Sequence, residues 1–338
     1  MSLEQRWLKA AYQGSRWLTP LYPLGALYRY LMARRSSHYH AGKKLAVKAS
    51  VPVIVVGNIT LGGTGKSPLV AWLVDWLRKQ GWSPGIITRG YGGKASHYPL
   101  RVTAITDPAQ SGDEPLMLAQ QTGCPVVADP RRPRGVQALV DSGCDIIVSD
   151  DGLQHLALGR DIELVVVDGA RGLGNGRCLP AGPLRESPSR LAQVDAVIIN
   201  GEQRRPLPRE GVAMRLAPLS WRRVQDGQRM PLTPLPFTLP VNAVAGIGHP
   251  ERFFNTLRSL GVEGEMHPLA DHQRFDDQTF RFSHQRPVVM TAKDAVKCQA
   301  LAPPDSWVLE VEAVLPPEFE HWLAAKLSAL SEKGYTDG

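Results

Sequence analysis

The sequence predicts an α/β fold: a mainly parallel sheet covered by helices on both faces, followed by a second, smaller α/β domain. Short Val/Ile-rich runs that close on polar residues recur along residues 51–200, and helical stretches such as "EPLMLAQQTG" and "PRGVQALVDSG" separate several of them. Alternation of this kind builds parallel sheets that are buried on both sides. The stretch "VVGNITLGGTGKSPLVAWLVDWL", residues 55–77, passes from strand to glycine-rich turn to helix. The length of 338 residues exceeds what one core usually supports, and this predicts more than one domain.

Residues 1–35 are expected to form an N-terminal amphipathic or membrane-associated segment. "RWLTPLYPLGALYRYLMARR", Arg16 to Arg35, sets Trp17, Tyr22, Tyr28 and Tyr30 among leucines and ends on two arginines. Aromatic rings with cationic ends suit a membrane interface, where Arg meets anionic lipid. Pro20, Pro23 and Arg29 interrupt the run, which is also shorter than the ~20 apolar residues of a membrane span. No A-x-A-like cleavage site follows it, so a membrane-associated helix, peripheral or singly anchored, is expected, with an ordinary helix packed on the domain as the alternative.

Residues 36–217 carry the main sheet. "VPVIVVGN" is its first strand, and "KSPLVAWLVDWLRKQG" is the following helix, closed by Gly81. "SPGIITRGYGG", "RVTAITD", "CPVVAD", "CDIIVSDD", "IELVVVD" and "DAVIIN" continue the strands, with polar groups at their C-terminal ends, where such sheets place ligands. Residues 218–240 change character: Asp226-Gly227 predicts a hairpin turn, and the prolines after it predict a linker. Residues 241–335 begin a new strand, turn and helix at "VNAVAGIGHPERFFNTLRSLG" and end in the helix "PEFEHWLAAKLSALSEKG".

The net charge of +7 is uneven. Residues 1–50 hold nine Lys or Arg against Glu4 alone, which leaves 30 basic and 31 acidic groups in the rest of the chain. The basicity belongs to the N-terminal segment, and a nucleic-acid partner is not expected. Cys124, Cys144, Cys178 and Cys298 include no C-x-x-C pair, so buried thiols are expected rather than zinc or disulfides.

"TLGGTGKS" has the Gly-Lys-Ser ending of a P-loop, with Thr60 in place of the first glycine. Gly62, Gly63, Thr64 and Gly65 would let the backbone approach an anion, Lys66 would bridge the outer phosphates of a nucleotide, and the Ser67 hydroxyl would ligate Mg²⁺. Asp150 and Asp151 end an apolar run and could hold that ion directly or through water, or could make an Asx turn. Ser111 and Glu114 match a helix capping box; alternatively Asp113 and Glu114 face the phosphates. Arg171, Arg177, Arg185 and Arg190 crowd a Gly/Pro-rich loop suited to a phosphate-bearing substrate. Asp271 and His272 could assist proton transfer, with His267 a weaker candidate. "VVMTAKD" resembles a GTPase base-reading element but lacks its Asn, and its Thr291 and Asp294 also fit a helix cap. A GTPase switch and a non-enzymatic membrane scaffold are the alternatives.

Taken together, "VGNITLGGTGKSP", "RGYGG", "SGDEP", "SDDGLQH", "GNGRCLPAGPLRE", "AGIGHPERFF", Asp271-His272 and "TAKDAVK" resemble the tetraacyldisaccharide 4'-kinase family of Gram-negative bacteria. The resemblance implies a two-domain, P-loop NTPase-like kinase. It would pass the γ-phosphate of ATP to the 4'-hydroxyl of an acylated disaccharide 1-phosphate lipid, in lipid A synthesis, at the cytoplasmic face of the inner membrane. It further implies Asp113 as the catalytic base acting with His272, and Lys66 as the P-loop lysine. Ser67, Glu114, Asp150 and Asp151 would be linked to Mg²⁺, and Arg185 would contact phosphate. Ser67 stands where the family usually has Thr, and Ala292 where it usually has an acid.

Overall fold

In a computed structural model the described residues are 3–270, 273, 275–276 and 278–332. The chain opens with α1 (Leu3–Gln13), a 3-10 turn (Arg16–Leu21) and α2 (Tyr22–His40). The main unit follows: β1 (Val53–Gly57), α3 (Lys66–Lys79), β2 (Pro84–Thr88), β3 (Leu100–Val102), α4 (Pro108–Ser111), α5 (Asp113–Thr122), β4 (Val126–Ala128), α6 (Arg132–Val140), β5 (Ile146–Asp150), β6 (Ile162–Asp168) and β7 (Ala196–Asn200). A long strand, β8 (Val212–Arg223), turns into β9 (Arg229–Met230). The C-terminal unit is β10 (Val241–Ala245), α7 (Pro250–Ser259), β11 (Gly264–Pro268), β12 (Val288–Thr291), α8 (Ala292–Cys298), β13 (Ser306–Val314) and α9 (Pro317–Leu330).

The Val/Ile-rich runs of residues 51–200 become β1–β7, and they share one sheet with the C-terminal strands. Its order is β11-β10-β12-β13-β8-β7-β6-β1-β5-β2-β4-β3, with β9 paired to β8. β1 lies between β5 and β6, parallel to both. Its side chains alternate between two buried faces. Ile54 and Val56 enter a core with α3, α5 and α9, while Val53 and Val55 pack with Val136 and Leu139 of α6. Burial on both faces accounts for the near-continuous apolar run.

Parallel β8 and β7 meet at residues 212–214, and antiparallel β8 and β13 then join the two parallel regions. Helix α9 follows the C-terminal strands in sequence but returns to the first core. There Phe319, Leu323 and Leu327 join Trp72 and Trp76, and Trp76 Nε1 donates to Glu320 Oε2 at 3.2 Å. Because β1, β5, β6 and β7 run in one direction, Gly57, Asp150, Asp168 and Asn200 finish at the same edge of the sheet.

Candidate active site

The turn after β1 is held from several sides. Asn58 Nδ2 donates to Thr64 Oγ1 at 3.3 Å, and Tyr12 of α1 donates its hydroxyl to the Leu61 carbonyl at 2.6 Å. Arg171 donates to the Gly63 carbonyl and lies over the Tyr12 ring, 4.8 Å from its centre. On the open side the arginine loop runs alongside: Leu61 N–H donates to the Pro183 carbonyl at 2.8 Å and Arg185 N–H to the Ile59 carbonyl at 2.7 Å. A carbonyl and the next residue's N–H point to opposite sides of one trans peptide. Tying carbonyls outward therefore turns successive N–H groups inward, the arrangement that binds anions ahead of a helix N-terminus. Lys66 and Ser67 open that helix, α3.

The two aspartates after β5 differ in environment. Asp150 is 1% exposed, and among the described residues neither of its carboxylate oxygens has a hydrogen-bond partner. Burial, reinforced by the like charge of Glu114, pushes its carboxyl up to about 7 against the pull of Lys66. Asp151 takes φ +48°, a left-handed conformation that aspartate tolerates better than most residues. It lies 3.5 Å from Lys66 Nζ and 3.1 Å from an Arg185 nitrogen. Burial raises this carboxyl too, but Lys66 and Arg185 outweigh it and hold it down at about 2.

Arg132 sets the position of both. Its guanidinium is buried and donates to Ser149 Oγ at 2.6 Å and to the carbonyls of Asp150 and Asp151 at 2.7 and 2.9 Å. Burial lowers its pKa to about 10, and Asp150 and Asp151 oppose that shift. Arg132 was not singled out in the sequence, and only the fold shows it beneath the strand end.

Asp113 and Glu114 open α5, whose N-cap is Gly112 at φ +84° with no side-chain cap. Ser111 ends α4 instead and donates its hydroxyl to the Gly112 carbonyl at 3.0 Å, while Gly112 N–H bonds Pro108. The capping-box account of Glu114 therefore does not hold, and Glu114 Oε1 lies 3.3 Å from Lys293 Nζ. Asp113 is half-buried in the first turn of α5, a helix that packs against α3. The "RGYGG" loop presses against this turn: a Cβ on Gly93 would sit 2.3 Å from the Gln110 carbonyl oxygen, and one on Gly112 would sit 2.2 Å from that of Tyr91.

The "TAKD" element is a brace. Thr291 Oγ1 accepts the Asp294 N–H at 3.2 Å and caps α8. The fully buried Asp294 carboxylate receives Gly246 N–H at 3.0 Å and Lys297 Nζ at 3.1 Å. So placed, it cannot read a nucleotide base from solvent. His272 and Asp271 lie outside the described residues; His267 is on β11, with Nε2 3.3 Å from Asn242 Oδ1.

A family model for tetraacyldisaccharide-1-P 4'-kinase matches residues 17–328. The chain belongs to the tetraacyldisaccharide 4'-kinase family. Kinases of that name from Pseudomonas putida strain W619 and Azotobacter vinelandii strain DJ are 49% and 48% identical, each alignment covering 98% of this chain and 98–99% of the relative. The crystal structure of an Aquifex aeolicus family member, described as an "apo" form LpxK in complex with ATP, superposes with a TM-score of 0.77 at 25% identity. It covers 92% of this chain and 99% of its own. Two residues that the sequence did not single out lie here: Asn200, which ends the run "DAVIIN", donates to the Thr64 carbonyl, and Arg252, which follows "GHPE", donates to Asn200. Asn200 carried a signal, a polar group at a strand end and so at the ligand edge; Arg252, in the first turn of α7, carried none.

Proposed function

We propose that this kinase transfers the γ-phosphoryl group of ATP to the 4'-hydroxyl of a tetraacylated glucosamine disaccharide 1-phosphate in lipid A biosynthesis. The supporting observation is that one sheet edge, in a chain of this family, gathers an anion cradle, Lys66 and the buried Asp150 carboxylate, close enough to Glu114, the neighbour of Asp113, to feel its charge. Asp113 takes the hydroxyl proton as the 4'-oxygen bonds to the γ-phosphorus. The bond from that phosphorus to the β,γ-bridging oxygen breaks, and ADP leaves. Lys66 and Arg185, both presented through Asp151, offer positive charge to the oxygens where charge develops. His272 would orient Asp113 or relay its proton.

Among the described residues no group of three or more His, Cys, Asp or Glu side chains has metal-holding geometry. Mg²⁺ in phosphoryl transfer uses only one or two carboxylates, with water and phosphate completing its shell. Asp150, with two orphaned oxygens in a buried site, fits that role. Ser67, Glu114 and Asp151 would complete the protein's share, and the bound ion would neutralise phosphate charge. In this reading residues 36–217 hold the nucleotide, 218–240 connect, and 241–335 form the second domain, apart from α9, which packs in the first core.

The lipid acceptor explains the N-terminus. No helix among the described residues is long and apolar enough to cross a membrane. Yet Leu24, Leu27 and Leu31 of α2, spaced along one face, are each about half exposed, and Arg34 and Arg35 extend the same face. The helix would lie on the anionic cytoplasmic face of the inner membrane and keep the acyl chains near lipid.

The deciding experiment supplies labelled ATP and an acylated disaccharide 1-phosphate and locates the new phosphate by NMR. Transfer to the 4'-oxygen, competed by ATP and not by GTP, is the expected result; no labelled lipid would overturn the proposal. Asp113→Ala should retain ATP affinity within about threefold and slow single-turnover transfer by about 10²- to 10⁴-fold. An unaltered rate would return Asp113 to a purely structural place at the start of α5.

A further inference from the structure

The P-loop is tied to the C-terminal unit through one amide. Asn200, 3% exposed at the end of β7, donates Nδ2 to the Thr64 carbonyl at 2.9 Å. Its Oδ1 accepts from a terminal nitrogen of Arg252 at 2.6 Å. Arg252 comes from the first turn of α7, in the "GHPERFF" stretch that follows β10. The contact is close on both sides: a Cβ on Gly65 would lie 2.2 Å from Asn200 Nδ2, and one on Gly201 would lie 2.9 Å from an Arg252 nitrogen.

An asparagine amide can be turned either way, and its neighbours decide which end faces which. Arg252 is a donor only, so it can face only the oxygen. Nδ2 is thereby committed to the Thr64 carbonyl. That carbonyl shares a trans peptide with Gly65 N–H, which then points away from Asn200, toward the side on which a phosphate would sit. With Arg252 absent, Oδ1 would lose its donor and the amide would be held at one end only, by the Thr64 carbonyl, which loosens its hold on the loop.

We infer that Arg252 is a positioning residue for nucleotide binding: it fixes the orientation of Asn200, and Asn200 aims the Gly65 N–H of the P-loop. The C-terminal unit thus contributes to ATP affinity without touching ATP through this arginine. This rests on the nucleotide reading of the cradle.

The test titrates the full-length chain and its variants with a fluorescent ATP analogue displaced by ATP, and records KM for ATP, KM for lipid and Tm. The unaltered chain should bind ATP; if it does not, the nucleotide reading itself falls. Arg252→Ala should weaken ATP binding by about five- to tenfold, the scale of one lost hydrogen bond, with KM for lipid unchanged. Arg252→Lys retains a donor-only cation and should stay within about twofold of the unaltered chain. Asn200→Asp separates positioning from a plain clamp between the units. It keeps an acceptor for Arg252 and strengthens that pair, but has no donor for Thr64, so ATP affinity should fall by about tenfold while Tm holds. Adding Arg252→Ala to Asn200→Asp should then cost little further ATP affinity. Undiminished ATP binding by Asn200→Asp, or an Arg252→Ala variant that loses Tm but not ATP affinity, would overturn the inference.

Discussion

Gly112 shows how single residues set this site. Its φ of +84° and ψ of 164° belong to a region essentially restricted to glycine, and a Cβ would meet the Tyr91 carbonyl oxygen at 2.2 Å. Gly112→Ala should therefore cost about 3 kcal/mol or more and displace Asp113, lowering transfer more than ATP binding. Urea unfolding together with single-turnover rates would check this, and an alanine variant with parent-like transfer would show that the turn does not position Asp113. "SGDEP" was legible as a motif, but the reason for its glycine was not, because the clash comes from a loop some twenty residues earlier in the chain. Lys66, Asp150 and Asp151 were legible by type and place. Their division of labour was not: that Asp151 carries Lys66 and Arg185 while Asp150 is left without a hydrogen bond depends on Arg132 turning inward beneath both.

At the scale of elements, the seam between the two parallel regions is β8 against β13. Buried Glu310 of β13 accepts from Arg222 Nε at 2.9 Å, Arg229 Nε at 2.8 Å and Ser220 Oγ at 3.0 Å. Burial raises its carboxyl, but the hydrogen bond and charge of Arg229, with Ser220 and Arg222, prevail and leave it below the usual carboxylate range. A depressed folded pKa adds stability that is fully present above the unfolded value, about 4.3, and is lost as pH falls through the folded value. Glu310→Gln should cost about 2 kcal/mol at pH 7, with the difference narrowing below about pH 4. Paired urea titrations at the two pH values measure this, and a constant difference would assign the loss to shape rather than charge. The length of β8 was hidden in the sequence by Pro218, which cannot donate to a ladder; it is accommodated where the β8–β13 register shifts at Glu310/Val311. Edge strand β11, "GEMHP", was hidden because a half-exposed edge does not demand alternating apolar residues.

For the molecule as a whole, the N-terminal helices serve two surfaces at once. Inward, α1 reaches the P-loop through Tyr12, Trp7 Nε1 donates to the Pro180 carbonyl at 3.1 Å, and Arg177 lies 3.6 Å from the centre of the Tyr22 ring. A Cβ on Gly25 would come within 2.8 Å of Ala181 Cβ, so α2 seats against the same loop that carries Arg185. Deleting residues 1–35 would therefore remove P-loop support as well as any membrane contact, and would not isolate either. Outward, the Leu24, Leu27 and Leu31 stripe can be changed without touching those contacts. Replacing all three with Ser should reduce binding to anionic phospholipid vesicles by tenfold or more, since each buried leucine contributes about 2 kcal/mol at most and three act together. ATP affinity and Tm should stay near their original values, and transfer to detergent-dispersed substrate should persist while transfer to bilayer-presented substrate falls. Equal loss in detergent and bilayer would mean that the stripe supports the fold or the acyl chains directly. Unchanged vesicle binding would remove the membrane role from this face of α2.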